Sequence, residues 1–186
     1  IITVTKIPAA NIPYIIDSKV TAFPVGKKNT LTGFHNGEAI ENVYDRLAKL
    51  KHITNINQIQ MPIAIPTVDI MKSKEYVFTN TIPKNSNKKN YITDITIGKA
   101  VRASSSFPCV FSPCDFKQHK FLDGGVLDNI PVKEVKKQGA DKVIAINFKA
   151  DDIDYESGMM DIAMRTIDIM GNKISEESLD MSDFIL

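Results

Sequence analysis

The sequence predicts an α/β protein, in which a sheet is layered with helices. Three observations predict it: apolar, β-branched strings at 61–71 and 141–148, helical periodicity at 38–50 and 94–107, and the alternation of the two kinds along the chain. With 186 residues, 43% of them hydrophobic, the chain can build one good core, so a single domain or a large part of one is expected.

The elements follow in order. Residues 1–35 alternate weakly in "IITVT" and are then broken by Pro8, Pro13 and Pro24, so an irregular stretch is expected. Asn36 and Gly37 precede Ala39, Ile40, Val43, Leu47 and Leu50, which recur at helical spacing and predict an amphipathic helix of about four turns. "MPIAIPTVDIM" and "EYVFTN" then read as two strands around the polar turn "KSK". The first is apolar enough to be buried on both faces, although Pro66 cannot donate to a ladder. Residues 83–90, "PKNSNKKN", form a polar loop, whose lysines also make peripheral membrane contact a conceivable partnership.

Thr93 is the expected N-cap of a second helix, with Asp94 in its first turn and Ile97, Ala100, Val101 and Ser104 along one face until Phe107 and Pro108 end it. "KFLD" is a short strand, Gly124 and Gly125 turn the chain, and "PVKEVKKQG" is a short helix between Pro131 and Gly139. "DKVIAINF" reads as a buried strand. Met160, Ala163, Met164, Ile167 and Ile174 share a helical face expected to pack on the sheet.

Charge and composition exclude some functions. Lysine plus arginine number 23 against 22 aspartates and glutamates, a net +1 that offers nucleic acid no basic field. No apolar run approaches the ~20 residues of a spanning helix, so no transmembrane segment is expected. The only cysteines, Cys109 and Cys114, and the scattered His35, His52 and His119 do not supply a tetrahedral zinc set, and the cysteines are read as free thiols.

The stretch "FLDGGVLDNIPV" is the candidate site. A carboxylate at a strand's exit, Asp123, is followed by Gly124 and Gly125, which tolerate positive φ and let another backbone come close. On local sequence alone Asp123 can equally be a turn cap, since Asp-Gly is a common turn pair. Asp128 and Asn129 read as turn residues, Ser104, Ser105 and Ser106 as helix-end hydroxyls, and Arg102 as a solvated side chain.

Taken together, "IGKAVRASSSFPCVFSP", "FLDGGVLDNIPV", "GADKVIAINF" and the upstream "PIAIPTVDI" resemble the C-terminal half of the catalytic domain of patatin-like phospholipases. The resemblance implies a three-layer α/β/α fold, here incomplete, and hydrolysis of lipid acyl esters by a serine and aspartate dyad whose aspartate lies in a D-G-[GA] motif. Asp123 is then the dyad base, which must accept the serine proton and return it to the leaving alcohol. Lys72, Ser73 and Lys74 replace the family's usual Thr-Gly after the central strand, and Asp69 ends that strand near the site without an assigned role.

A nucleophile elbow needs G-x-S-x-G, and none of the eleven serines has glycine on both sides. No glycine-rich oxyanion loop occurs either, since Gly124 and Gly125 are the only adjacent pair among nine glycines. With Ile1 rather than methionine at its start, the chain is therefore read as a partial domain, with the serine and oxyanion hole outside it. Its central strands would then lack neighbours. No metal or organic cofactor is implied. Two rivals stand beside this reading. A phosphatase of the haloacid dehalogenase type would need its nucleophile at Phe121, which has no nucleophilic atom. A noncatalytic lipid- or protein-binding module fits the missing serine but leaves the intact D-G-G without a purpose.

Overall fold

The computed structural model describes residues 33–147 and 158–186. In chain order the elements are α1 (Glu38–Leu50), β1 (Ala64–Asp69), β2 (Lys74–Thr79), β3 (Tyr91–Ile92), α2 (Ile97–Ser104), β4 (Cys114–Phe116), β5 (His119–Asp123), α3 (Val132–Lys137), β6 (Ile144–Ala145), α4 (Met159–Asp180) and β7 (Phe184–Ile185). The expectation for residues 1–32 and the end of "DKVIAINF" at Phe148 lie outside the described residues.

Five strands form one mixed sheet in the order β3-β2-β1-β5-β4, parallel only between β2 and β3. Side chains alternate between its faces, and residues directly opposite share a face. One face carries Ile65, Tyr76, Phe78 and Phe121, which close a core with Ile56 and with Ala100 and Ala103 of α2. Phe78 and Phe121 are fully buried and meet edge to face at 5.2 Å. The other face takes α3, whose Gln138 cap donates from Nε2 to Thr79 Oγ1 at 3.2 Å. The result is an α/β fold with helices on both faces of the sheet. β1 is paired on both sides, so the central strand does not lack neighbours, contrary to expectation.

Pro66 has a physical place in that central strand. The register Thr67↔Asp123 puts Pro66 level with Gly124, where β5 leaves the sheet. A residue's N–H and C=O point to the same side in an antiparallel ladder. The Pro66 carbonyl is turned toward Gly124 and accepts from Ser104 Oγ at 2.7 Å, so the absent N–H falls beyond the last β1–β5 pair and costs the ladder no bond.

Several elements depart from expectation. α2 starts at Thr96, whose hydroxyl accepts from Lys99 N at 3.2 Å, and not at Thr93. The preceding residues are committed elsewhere: Asn55 bridges Thr96 and donates to Asp94 Oδ1 at 3.0 Å. β4 is an unpredicted strand, joined to β5 through a two-residue turn at Lys117 and Gln118, with Lys117 at φ 53. "DKVIAINF" contributes only β6, paired with β7, and it is half-buried, with Val143 and Ala145 inside and Ile144 outside. α4 lies on the turn after β5 and on α3 through Gly171, Ser175 and Ser178, while Ile174 is exposed.

The apolar stripe that predicts α1 faces outward: Val43, Leu47 and Leu50 are 51%, 53% and 75% exposed. α1 is held to α2 by polar contacts on its other side. Gly98 N donates to Asp45 Oδ1 at 2.7 Å, and Lys99 Nζ and Arg102 Nη1 reach Glu41 at 3.0 and 3.6 Å. Arg102 is thus no solvated side chain; it is 11% exposed and also donates from Nε to the Asn36 carbonyl.

Candidate active site

Asp123 is the last residue of β5 and caps the short 3-10 turn Gly124–Val126 that follows. Its Oδ1 accepts from Gly125 N at 2.8 Å, and its own N–H donates to the Ser106 carbonyl at 3.0 Å. The carboxyl is partly buried, level with the fully buried Thr67 on the core face of the sheet. Thr67 Oγ1 donates to the Leu122 carbonyl at 2.7 Å, fastening β5 to β1 one residue before the aspartate.

The two glycines serve packing, because neither has a positive φ. A Cβ on Gly124 would lie 2.5 Å from the Pro66 carbonyl oxygen, so only glycine allows the turn to pass beneath β1. At Gly125 it would meet Asn129 Oδ1 at 3.1 Å and Asp123 Oδ1 at 3.2 Å. Close approach, one of the two reasons the sequence offers for these glycines, is the one that applies at Gly124.

The surrounding residues hold this turn. Asp128 N donates to the Gly124 carbonyl at 2.9 Å, and Asn129 Nδ2 reaches Ser175 Oγ of α4 at 3.3 Å. Burial pushes the Asp128 carboxyl above its usual range, with Glu134 adding to the effect and Lys133 and Lys137 opposing it. Ser104 Oγ and Ser106 Oγ donate to the carbonyls of Pro66 and Arg102, as helix-end hydroxyls do. Cys109 and Cys114 are both free thiols.

Sequence reasoning missed a buried hydrogen bond between a carboxylate and an imidazole on the same face. Asp69, fully buried, lies 2.7 Å from His119 Nδ1, and the imidazole stacks on Phe121 and meets the edge of Tyr76. Burial raises the Asp69 pKa, but hydrogen bonds from His119 and from the Met71 and Lys120 backbones outweigh it, so the net shift is downward. The only signal for this pair is its register: Asp69 lies opposite Phe121, so His119 is its diagonal neighbour across an antiparallel pair.

The chain's relationship to known proteins rests on the same region. Residues 12–136 match the model of the patatin-like phospholipase family, more than half of the chain and including the whole β5 turn. The chain belongs to the patatin-like phospholipase family. It is 47% identical over 53 residues to a lysophospholipase NTE1 of Scheffersomyces stipitis, an alignment covering 28% of this chain and 3% of that protein. With the lysophospholipase NTE1 of Yarrowia lipolytica it shares 36% identity over 70 residues, 38% of this chain and 5% of the relative. The corresponding Candida albicans protein is 45% identical over 47 residues, 25% of this chain and 3% of its own length. This patatin-like chain therefore spans only a few per cent of the relatives it matches.

Proposed function

We propose that this chain is the C-terminal part of a single patatin-like catalytic domain and supplies the general base, Asp123, of a serine lipid acyl hydrolase. The observation that carries the reading is the fixed carboxylate at the exit of β5, oriented by Gly125 N and seated under β1 by the Gly124 contact. The family membership and the lysophospholipase names of the relatives support a lipid acyl ester as substrate.

In this reading the nucleophilic serine and the oxyanion hole come from residues outside the chain. No serine here has glycines at both flanks, and the hydroxyls of Ser104, at the end of α2, and of Ser106, just past it, donate to backbone carbonyls. Asp123 takes the serine proton as its oxygen attacks the acyl carbonyl, and returns that proton to the departing alcohol when the tetrahedral adduct collapses. Water then attacks the acyl-serine, giving up a proton to Asp123, which passes it to the serine oxygen as the acyl C–O bond breaks and the fatty acid leaves. A carboxylate can do this without histidine if it is held within hydrogen-bond reach of the serine oxygen. Peripheral contact with a membrane suits such a substrate. Among the described residues no helix is long and apolar enough to cross one.

The test is labelling of the protein carrying this chain with a fluorophosphonate probe, followed by peptide mapping. An adduct on a peptide outside this sequence supports the dyad, and an adduct on Ser104, Ser105 or Ser106 refutes the assignment. A folded protein that takes no label supports the noncatalytic lipid- or protein-binding module instead, a reading favoured by the absence of a glycine-flanked serine.

A further inference from the structure

We propose that the outward face of α1 is an anchor that lies in the surface of an anionic lipid layer. Val43, Leu47 and Leu50 recur at i, i+4 and i+7, so they share one side of the helix, and each is half exposed or more. Ala39 is exposed beside them and Tyr44 closes one flank. Thirteen residues make α1 about 20 Å long, which suits a helix lying along a surface.

Charge decides what this stripe meets. The acids on the inner side of α1 are engaged by α2: Glu41 lies 3.0 Å from Lys99 and 3.6 Å from Arg102, and Asp45 accepts from Gly98 N. Beyond the helix end, Asp94 is held by Asn55 and met by Lys117 at 3.9 Å. What α1 turns outward is basic. Arg46 neighbours Val43 and Leu50, the cap residue Lys51 neighbours Leu47, and Lys49 lies farther round; all three are exposed. Among the described residues none of them is paired with a carboxylate, and the one other exposed acid of α1, Glu38, sits at the opposite end. An aliphatic stripe with an unpaired basic border is the pattern of an interfacial helix, its apolar side chains at the acyl boundary and its cations among anionic headgroups.

Other occupants and other surfaces fit less well. A second copy laid on the same stripe would bring Arg46 and Lys51 toward cations of their own kind, whereas a headgroup layer supplies the anions they lack. The 83–90 loop exposes Lys84, Lys88 and Lys89, but residues 84–89 include no apolar side chain, so that loop offers charge without insertion. On α1 the two signals coincide. This contact accompanies the lipid hydrolase reading without depending on it, since its ground is the helix and not Asp123.

The experiment is photocrosslinking of the protein carrying this chain to phosphatidylcholine vesicles, with and without phosphatidylserine, doped with a phospholipid that bears a diazirine on its acyl chain, followed by peptide mapping. Adducts on the peptides spanning residues 39–51 are expected with phosphatidylserine. Their yield should fall at least about tenfold without it, at about 1 M salt, or in the double variant Arg46→Gln, Lys51→Gln. The double variant Leu47→Ser, Leu50→Ser should lose the adducts too, with Tm kept within about 4 °C because the replaced side chains are exposed. A larger fall in Tm shows the stripe covered by another part of the protein, and a dimer that this variant dissolves shows a second copy on it; either overturns the proposal. So do the absence of adducts, adducts confined to the 83–90 peptide, equal labelling without phosphatidylserine, or unchanged labelling in both variants. Hydrolysis of a soluble ester, expected to be unchanged in both, separates failure of this anchor from failure of the Asp123 assignment.

Discussion

Replacing Gly124 with alanine tests whether the turn beneath β1 is set by close packing. The new Cβ would lie 2.5 Å from the Pro66 oxygen and 2.7 Å from its carbonyl carbon, against an ordinary contact of 3.4 Å, so about 0.9 Å of displacement is required. The obstacle is backbone of the central strand, paired on both sides, and the same carbonyl holds Ser104 Oγ. Overpacking of this kind costs about 1–3 kcal/mol, and the backbone partner places Gly124→Ala at about 3. At about 2–4 °C per kcal/mol for a domain of 150–250 residues, Tm should fall by about 6–12 °C. Gly125→Ala is the internal control. Its Cβ would meet only side-chain oxygens, at 3.1 and 3.2 Å, so about 1 kcal/mol or less is expected. One of those oxygens is Asp123 Oδ1, so this milder variant should lose esterase turnover while staying folded. Thermal denaturation and an ester assay on the two variants decide the matter. A Gly124→Ala protein within about 1 °C of the parent, or a Gly125→Ala protein less stable than it, would refute the packing argument.

Other variants test the remaining assignments. Asp123→Asn keeps the shape of the turn but cannot carry the proton, so turnover should fall by about 10²–10⁴ with the denaturation curve unchanged; near-normal activity removes Asp123 from the mechanism. Ser104→Ala should cost about 1 kcal/mol by freeing the Pro66 carbonyl, yet leave turnover intact, as urea titration and an ester assay would register. The folded pKa of Asp69 lies below the ordinary aspartate value of 3.8, so its contribution is complete above that value and lost as pH falls through the folded pKa. Asp69→Asn should therefore flatten the acid limb of a stability-against-pH profile. Glu75 has the opposite sign: raised from 4.5 to about 7, it costs stability progressively as pH rises through that window. Glu75→Gln should accordingly gain stability over the parent above neutral pH, and a loss there would count against its burial among carboxylates.

Much of the fold is legible in local sequence because local chemistry decides it. The α1 span, the hairpin of β1 and β2, and the capped turn at Asp123 all carry their signals within a few residues. The β4–β5 hairpin does not. Its turn residues are Lys117 and Gln118, without the Asn-Gly or Asp-Gly pair that marks two-residue hairpins, so the positive φ at Lys117 is imposed by the flanking strands. Thr93 resembles a helix cap as well as Thr96 does, and the choice falls to Asn55, far away in the chain. In α1 the periodicity gave the helix but not its buried side, since Glu41 and Asp45 make the contact with α2. At the site, the role proposed for Asp123 is suggested by its motif, whereas Arg102, Asp69 and Glu134 owe their surroundings to residues distant in sequence. A charged side chain reads as exposed until its partner is known.

Pro66 has a consequence for anyone transplanting this turn. The place where β5 stops being sheet is written on the neighbouring strand, as a missing donor, rather than on β5 itself. A designer who grafted only "DGGVLDN" onto another α/β scaffold would be offered a backbone N–H at that level, and one more rung of the ladder could form and draw the first glycine into the sheet. The portable unit is therefore discontinuous: the aspartate and its glycines, together with a proline on the adjacent strand and a hydroxyl to occupy its carbonyl.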